Sequence, residues 1–463
     1  MSEASAVTSM QFHPQPQPGE PTPWAFPAPS RSTLPNGLTV LRCDRPGQKL
    51  VAVELLLDAP LAAEPRDQEG VATILARAFS EGTDKLTAEE FAAELERAGA
   101  TLDAHADHTT LRVSLEVPAS RLERGLSLLA DAVRAPALPE HEIERLVANR
   151  LDEIQHELAS PARRAAFALY AALFDADDRL SRPRAGTAET VKGIDRDAVA
   201  AFYAAHVRPA TATVVLVGDF NGADFDTVLA STLGEWTGTA AERAPIAPVV
   251  ADDHGRVVIV DRPGSVQTQL LIGRIGPDRH DDTWAAQLLG TYCLGGTLTS
   301  RLDRVLREEK GYTYGVRAFA QPLRSSANGS GRAMLAISGS VDTESTAPAL
   351  ADTWTILRTL AAEGLTDEER DIAVQNLVGV APLRYETASA VCATLADQVE
   401  QRLPDGYQAE VYRRLAETPT AEASAAVIAA FPPDRLVTVL VGDASVIEEP
   451  VKALGIGEVT VIQ

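Results

Sequence analysis

Histidines beside carboxylates are the first places to look for metal or acid-base chemistry, and this chain of 463 residues contains only 8 histidines. His141-Glu142 opens as an H-E-x-x-H zinc motif would, but Arg145 stands where the second histidine is needed. His105-x-x-His108 sits in strand-like alternation with no further ligand at a recognisable spacing, so solvated or core-edge histidines are the simpler reading. No G-x-S-x-G follows a strand, which removes the serine-nucleophile elbow. Gly311-Tyr312-Thr313-Tyr314-Gly315 lacks the Gly-Lys-Ser ending and helix start of a phosphate loop. Cys43, Cys293 and Cys392 are too widely spaced for a C-x-x-C zinc or redox site and read as buried, reduced thiols.

The elements that must position any chemistry come in two sets. Asp44-Arg45-Pro46-Gly47 recurs 217 residues on as Asp261-Arg262-Pro263-Gly264, each time after an apolar strand-like run. Val214-Val215-Leu216-Val217-Gly218-Asp219 recurs 224 residues on as Thr438-Val439-Leu440-Val441-Gly442-Asp443. Two matches at nearly equal offset imply two copies of one domain. Their expected bounds are 33–236 and 254–463, joined by a linker over 237–253 and preceded by a Pro-rich, disordered tail over 1–32. In the first copy Gly70 to Phe79 reads as a buried helix, and Thr87-x-x-Glu90 is a capping box opening a helix that Gly99 stops. Leu111, Val113, Leu115 and Val117 alternate as a half-buried strand, and a long polar helix follows over Glu140 to about Leu158. Thr366-x-x-Glu369 caps a helix of the second copy. Strands and helices mix without regular βαβ alternation, so the expected class is α+β: in each copy an antiparallel sheet with helices packed on one side.

Composition narrows the partners. Forty-two Lys plus Arg against 65 Asp plus Glu give a net charge of −23, which repels nucleic acid and anionic lipid heads. No apolar run approaches the roughly 18 residues of a membrane span, and no basic, apolar leader opens the chain. A cytoplasmic protein with neither nucleic acid nor membrane as partner is expected.

A resemblance rests on an ordered series of motifs. Leu34-Pro35-Asn36-Gly37-Leu38-Thr39-Val40, Gly70-Val71-Ala72 and Glu81-Gly82-Thr83 in the first half resemble the opening strand and metal-site helix of the pitrilysin-type zinc peptidases, which include the mitochondrial processing peptidases. In the second half, Asp261 to Gln267, Leu294-Gly295-Gly296, Ser300-Arg301-Leu302 and Leu306-Arg307-Glu308-x-x-Gly311-Tyr312-x-Tyr314 resemble that family's C-terminal domain. Active members carry H-x-x-E-H on the helix after Gly-x-Ala, two histidines gripping Zn²⁺ and the glutamate activating water. Here those positions are Thr73, Ala76 and Arg77, and the family's distal glutamate ligand falls at Glu153. Read without the resemblance, Glu153 is a solvated helix-face acid paired with a nearby arginine.

The resemblance also implies a role for Arg307 and Tyr314. In active members an Arg and a Tyr seven residues apart, from the C-terminal half, reach the zinc site and hold the substrate backbone. A guanidinium offers a planar fork of donors to peptide carbonyls, and a phenol can donate to a developing oxyanion. On their own, Arg307 fits a solvated helix face with Arg301 and Arg304, and Tyr314 a strand aromatic. A lost zinc helix beside a retained Arg/Tyr pair resembles the non-metal subunit of two-chain members. The implied function is to complete the site of a homologous partner bearing H-x-x-E-H, on a peptide substrate, with zinc in the partner and no cofactor in this chain. The alternatives are an inactive structural subunit and a peptide-binding or chaperone-like protein.

Overall fold

β-branched and leucine-rich runs buried on both faces form the inner strands of two six-stranded sheets, and more exposed strands close their edges. The computed structural model describes residues 24–220, 225–238, 254–324 and 332–463. The first sheet contains β1 (Ser30–Thr33), β2 (Thr39–Asp44), β3 (Leu50–Leu57), β4 (Thr101–Ala106), β5 (Leu111–Pro118) and β6 (Thr213–Gly218), in the order β1-β2-β6-β3-β5-β4. The second contains β7 (Arg256–Asp261), β8 (Gln267–Gly276), β9 (Val316–Arg324), β10 (Arg332–Asp342), β11 (Val437–Gly442) and β12 (Glu458–Ile462), ordered β12-β7-β11-β8-β10-β9. Leaving out β1 and β12, the two orders are the same five-strand pattern, so the two homologous α+β domains are real.

The repeated motifs occupy equivalent places down to single hydrogen bonds. β2 runs parallel to β6 with Asp44 opposite Gly218, and β7 runs parallel to β11 with Asp261 opposite Gly442. The Gly47 N–H donates to Asp219 Oδ2 at 2.9 Å, and the Gly264 N–H to Asp443 Oδ2 at 2.7 Å. Both glycines lie at positive φ, +91° and +74°, which is why Asp-Arg-Pro-Gly is the turn both times.

The expected antiparallel sheet with helices on one side needs correction. Each sheet is mixed, because its chain-distant strand (β6 or β11) inserts between β2 and β3, or β7 and β8, and so meets one neighbour in parallel. Both faces are covered, and the second face is covered by the other half. Helix Pro161–Leu173 of the first half lies on β11 and β8, where Ala165 and Leu169 pack with Met334, Val439 and Val441. Helix Ala388–Glu400 of the second half lies on β3 and β6, and the Cys392 thiol donates to the carbonyls of Ala52 (3.5 Å) and Val215 (3.4 Å). The two helices have 13 residues each and stand in equivalent positions, so the exchange is reciprocal. It is sealed by Arg112 of β5, which pairs with Asp397 at 2.6 Å and with Glu400 across the halves.

The expected tail over 1–32 is also cut back. Residues 1–23 lie outside the described residues, but from Trp24 onward the segment is packed. Phe26 is 7% exposed and meets Tyr385 edge-on at 4.9 Å, Trp24 stacks on Tyr385 at 5.6 Å, and Arg31 forms an ion pair with Asp405 at 2.6 Å. Aromatic rings offset the proline-rich composition that suggested disorder. Residues 239–253 of the expected linker lie outside the described residues. Among the described residues no helix is long and apolar enough to cross a membrane.

Candidate functional site

The helix expected over Gly70 to Phe79 spans Val71–Ala78, and six of its eight residues are buried. The other two are Thr73 and Arg77, both half-buried, which being four apart share one face. Ala76 points into the core at 2% exposure. The helix start is pinned by Glu64, whose side chain is fully buried and whose Oε1 accepts from the N–H groups of Gly70 and Ala72, both at 3.0 Å. Gly70 stands at φ +109°, and a Cβ there would come within 2.9 Å of Val191 and 3.0 Å of the Ala185 carbonyl. Arg179 in turn holds Glu64 at 2.9 Å, and Arg182 holds Glu69 at 2.7 Å. None of these four charged residues stands out in the sequence, because the contacts cross more than 110 residues.

The facing element is the polar helix expected over Glu140 to about Leu158, which spans Glu140–Ala159. It brings Glu153 to Arg77. The guanidinium donates from Nη1 to Oε1 at 2.9 Å and from Nη2 to Oε2 at 2.8 Å, a bidentate fork. Arg150, 2% exposed, adds a third donor to Glu153 at 3.1 Å and grips Glu157 at 2.9 and 2.7 Å. The spacing of Arg150, Glu153 and Glu157, i, i+3 and i+7, is the signal by which this ladder is legible in the sequence. The Arg77 fork, with the charge of Arg150 behind it, holds the Glu153 carboxyl below the usual glutamate range.

This donor set does not fit zinc. Thr73 and Ala76 offer no imidazole and no carboxylate, and the carboxylate that would be the distal ligand has both oxygens engaged by a fixed cation. The guanidinium occupies the position against Glu153 that a metal ion would need.

Arg307 and Tyr314 sit on the second half, on either side of a tight turn. Arg307 lies in a π-helical turn, Arg304–Glu309, and pairs with its neighbour Glu308 at 3.1 Å. The three arginines of that face do different work: Arg301 is tied to Glu369 at 2.6 Å and is 12% exposed, whereas Arg304 reaches Glu309 at 3.7 Å from an exposed position. Gly311, at φ +69°, turns the chain back. Beyond it the backbone is locked by the Gly315 N–H on Thr313 Oγ1 (3.0 Å) and the Val316 N–H on fully buried Asp303 (2.7 Å). Tyr314, between these anchors, is 94% exposed. No hydrogen bond or ion pair joins Arg307 or Tyr314 to Arg77 or Glu153, so the two constellations remain separate within the chain. The remaining histidine candidates do not converge on them: His141 is exposed next to Glu142, and His105 lies on β4.

Two family models match the chain. Residues 39–188 match the family model described as Insulinase (Peptidase family M16), and residues 193–377 the model described as Peptidase M16 inactive domain. An uncharacterised zinc protease of Mycobacterium tuberculosis is 28% identical over 376 residues, covering 80% of this chain and 83% of that protein. One of Rickettsia bellii is 26% identical over 294 residues, covering 63% and 69%. Among solved structures, a peptidase M16 inactive domain from Pseudomonas fluorescens superposes with a TM-score of 0.81 at 22% identity, covering 90% of this chain and 98% of that one. A chain of Complex III2 from Candida albicans does so with 0.75 at 14% identity, covering 92% and 99%. At such identities these structures speak for the fold alone.

Proposed function

The chain belongs to peptidase family M16, and from that premise we propose that it is the non-metal subunit of a two-chain zinc endopeptidase. The observation that carries the reading is the Arg77 fork on Glu153, a cation built into the place where a metal-bearing member would hold zinc. With zinc chemistry removed from its own first half, the chain contributes through its second. In this reading Tyr314, 94% exposed on a braced turn, and Arg307, half-buried seven residues before it, would meet a peptide held by a homologous partner that carries H-x-x-E-H. In that assembly the partner's zinc would polarise the scissile carbonyl and activate water. The residues of this chain would hold the peptide backbone, Arg307 by donating to carbonyl oxygens and Tyr314 by donating to the oxygen on which charge develops. The net charge of −23 suits basic peptides, and the expected site of action is the cytoplasm.

The test is reconstitution. The chain alone, and the H-x-x-E-H homologue alone, should leave a fluorogenic peptide intact, and the mixture should cleave it in a chelator-sensitive manner. One tightly bound zinc per chain with activity in the isolated protein would overturn the proposal. A stable complex that never cleaves peptide would place a structural or peptide-binding subunit ahead of it.

A further inference from the structure

A third charged side chain stands behind Arg307 and Tyr314. Asp303, one residue before the π-helical turn Arg304–Glu309, is fully buried, and a carboxylate taken out of water persists only where its oxygens are bonded and its charge is balanced. The chain beyond Tyr314 meets both conditions. Oδ1 accepts from the Val316 N–H at 2.7 Å, and Oδ2 accepts from the guanidinium of Arg317, an exposed side chain that carries the opposite charge. The carboxylate also lies against the residue that follows Tyr314, since a Cβ added to Gly315 would stand 3.7 Å from Oδ1.

With its ring in solvent, Tyr314 is placed by its backbone. On the near side the Tyr312 N–H donates to the Leu306 carbonyl at 2.9 Å, and on the far side stands the Asp303 bond to Val316, the first residue of β9. β9 stays in its sheet through the ladder with β10, which starts at Val316 opposite Gly339. Arg307 has anchors of its own, because Leu302 and Leu306 are fully buried and Arg301 is tied to Glu369 at 2.6 Å. Without the Asp303 bond the segment free to shift is therefore the short stretch from Gly311 to Gly315, which carries Tyr314 and leaves Arg307 in place.

We propose that Asp303 is the positioning residue of the Arg307/Tyr314 pair: balanced by Arg317, its carboxylate ties the helical segment that leads into Arg307 to the chain just beyond Tyr314, and this tie sets where the phenol stands relative to the guanidinium. What the two side chains then do rests on the subunit reading above. The role calls for a carboxylate, which presents one oxygen to the backbone and one to the guanidinium and strengthens both bonds by its charge. A carboxamide has one acceptor oxygen and an NH₂ that can only donate, so Asp303→Asn must give up one of the two bonds.

The experiment uses the full-length chain, alone and mixed with the H-x-x-E-H homologue. In the chain alone, amide hydrogen exchange at Gly315 and Val316 should quicken by about 10-fold or more in Asp303→Asn and in Arg317→Gln, a change at an exposed side chain, while the amides of β11 exchange as in the wild type. In the complex either variant should lower kcat roughly 10- to 100-fold, as displacement of a reacting group by about 1 Å does, and leave KM within about 3-fold. Combined with Tyr314→Phe, the same substitutions should cost less than about 3-fold, because a residue that acts through the phenol then has nothing to position. Wild-type exchange at Gly315 and Val316, a loss that falls in KM, or an equal loss with and without Tyr314→Phe would overturn the proposal. A wild-type complex that leaves the peptide intact would instead sink the subunit reading, and quickened exchange at Gly315 and Val316 would still show Asp303 holding the turn.

Discussion

Replacing Thr73 and Arg77 together by histidine should turn the helix Val71–Ala78 into a zinc-binding element, and the structure allows the effect to be sized. A zinc ion on Glu153 would sit about 2.1 Å from an oxygen. The Arg77 nitrogens stand 2.9 and 2.8 Å from the same two oxygens, so the ion and the guanidinium would be about 4 Å apart. A divalent and a monovalent charge at that distance repel by about 8 kcal/mol at an effective dielectric of 20. The arginine could escape by swinging into solvent, since both partners are about a third or more exposed and such a pair is worth only about 0 to 1 kcal/mol. Zinc would then still find one carboxylate and no imidazole. In Thr73→His/Arg77→His the repulsion is gone and two imidazoles on one helix face meet Glu153, the three protein ligands of a catalytic-type site. Three-quarters of the ~10–16 kcal/mol of four-ligand sites is about 8–12 kcal/mol, a Kd of about 1 µM or tighter. The assay is metal content after equilibration at about 100 µM zinc, with calorimetry and thermal melting; at a hundredfold excess over Kd the fold gains about 2.7 kcal/mol. The wild type and each single variant should bind far less than one zinc per chain. A folded double variant that takes up no zinc would refute the reasoning, because Thr73, Arg77 and Glu153 would then not converge on one point.

Further expectations concern the same residues and the joint between the halves. Glu153 is held below the ordinary glutamate range, so the unfolded chain binds its proton more readily, and its contribution to stability, present above about pH 4.5, should fade as pH falls through the lowered value. In Arg77→Ala the Glu153 titration, followed by NMR, should move upward, incompletely because Arg150 remains; an unmoved titration would deny the pairing. In a reconstituted complex Tyr314→Phe should lower kcat roughly 10²- to 10³-fold with assembly intact by size exclusion, and Arg307→Ala should raise KM as well; wild-type kinetics in both would remove their assignment. Leu169→Ala, at a fully buried position where one half covers the sheet of the other, should cost about 2–5 kcal/mol and shift a single unfolding transition monitored by circular dichroism. Two separated transitions would show that the exchanged helices do not couple the halves.

Much of the architecture is legible in the sequence, because its signals are local or periodic. The two Asp-Arg-Pro-Gly turns and the two Gly-Asp strand ends announce the repeat, and the Thr87/Glu90 and Thr366/Glu369 boxes form as their spacing demands. The β5 alternation from Leu111 to Val117 is buried at every second residue. That Thr73 and Arg77 stand where active members carry their two histidines is legible only through the family resemblance.

Tertiary structure decided what depends on pairing over distance. The apolar stripes of Pro161–Leu173 and Ala388–Glu400 say that each helix must be covered, but not that each lies on the other half's sheet. The insertion of β6 and β11 beside a parallel neighbour is equally silent in the sequence, since a strand buried on both faces reads as one apolar run whatever its partners' direction. Trp24 and Phe26 look like part of a proline-rich tail until Tyr385, more than 350 residues away, supplies the surface they need. Arg77 and Glu153 are 76 residues apart, and only the packing of their two helices converts a missing ligand into a bound guanidinium. A side chain's type sets what it can do, and burial against partners distant in the chain sets which of those things it does.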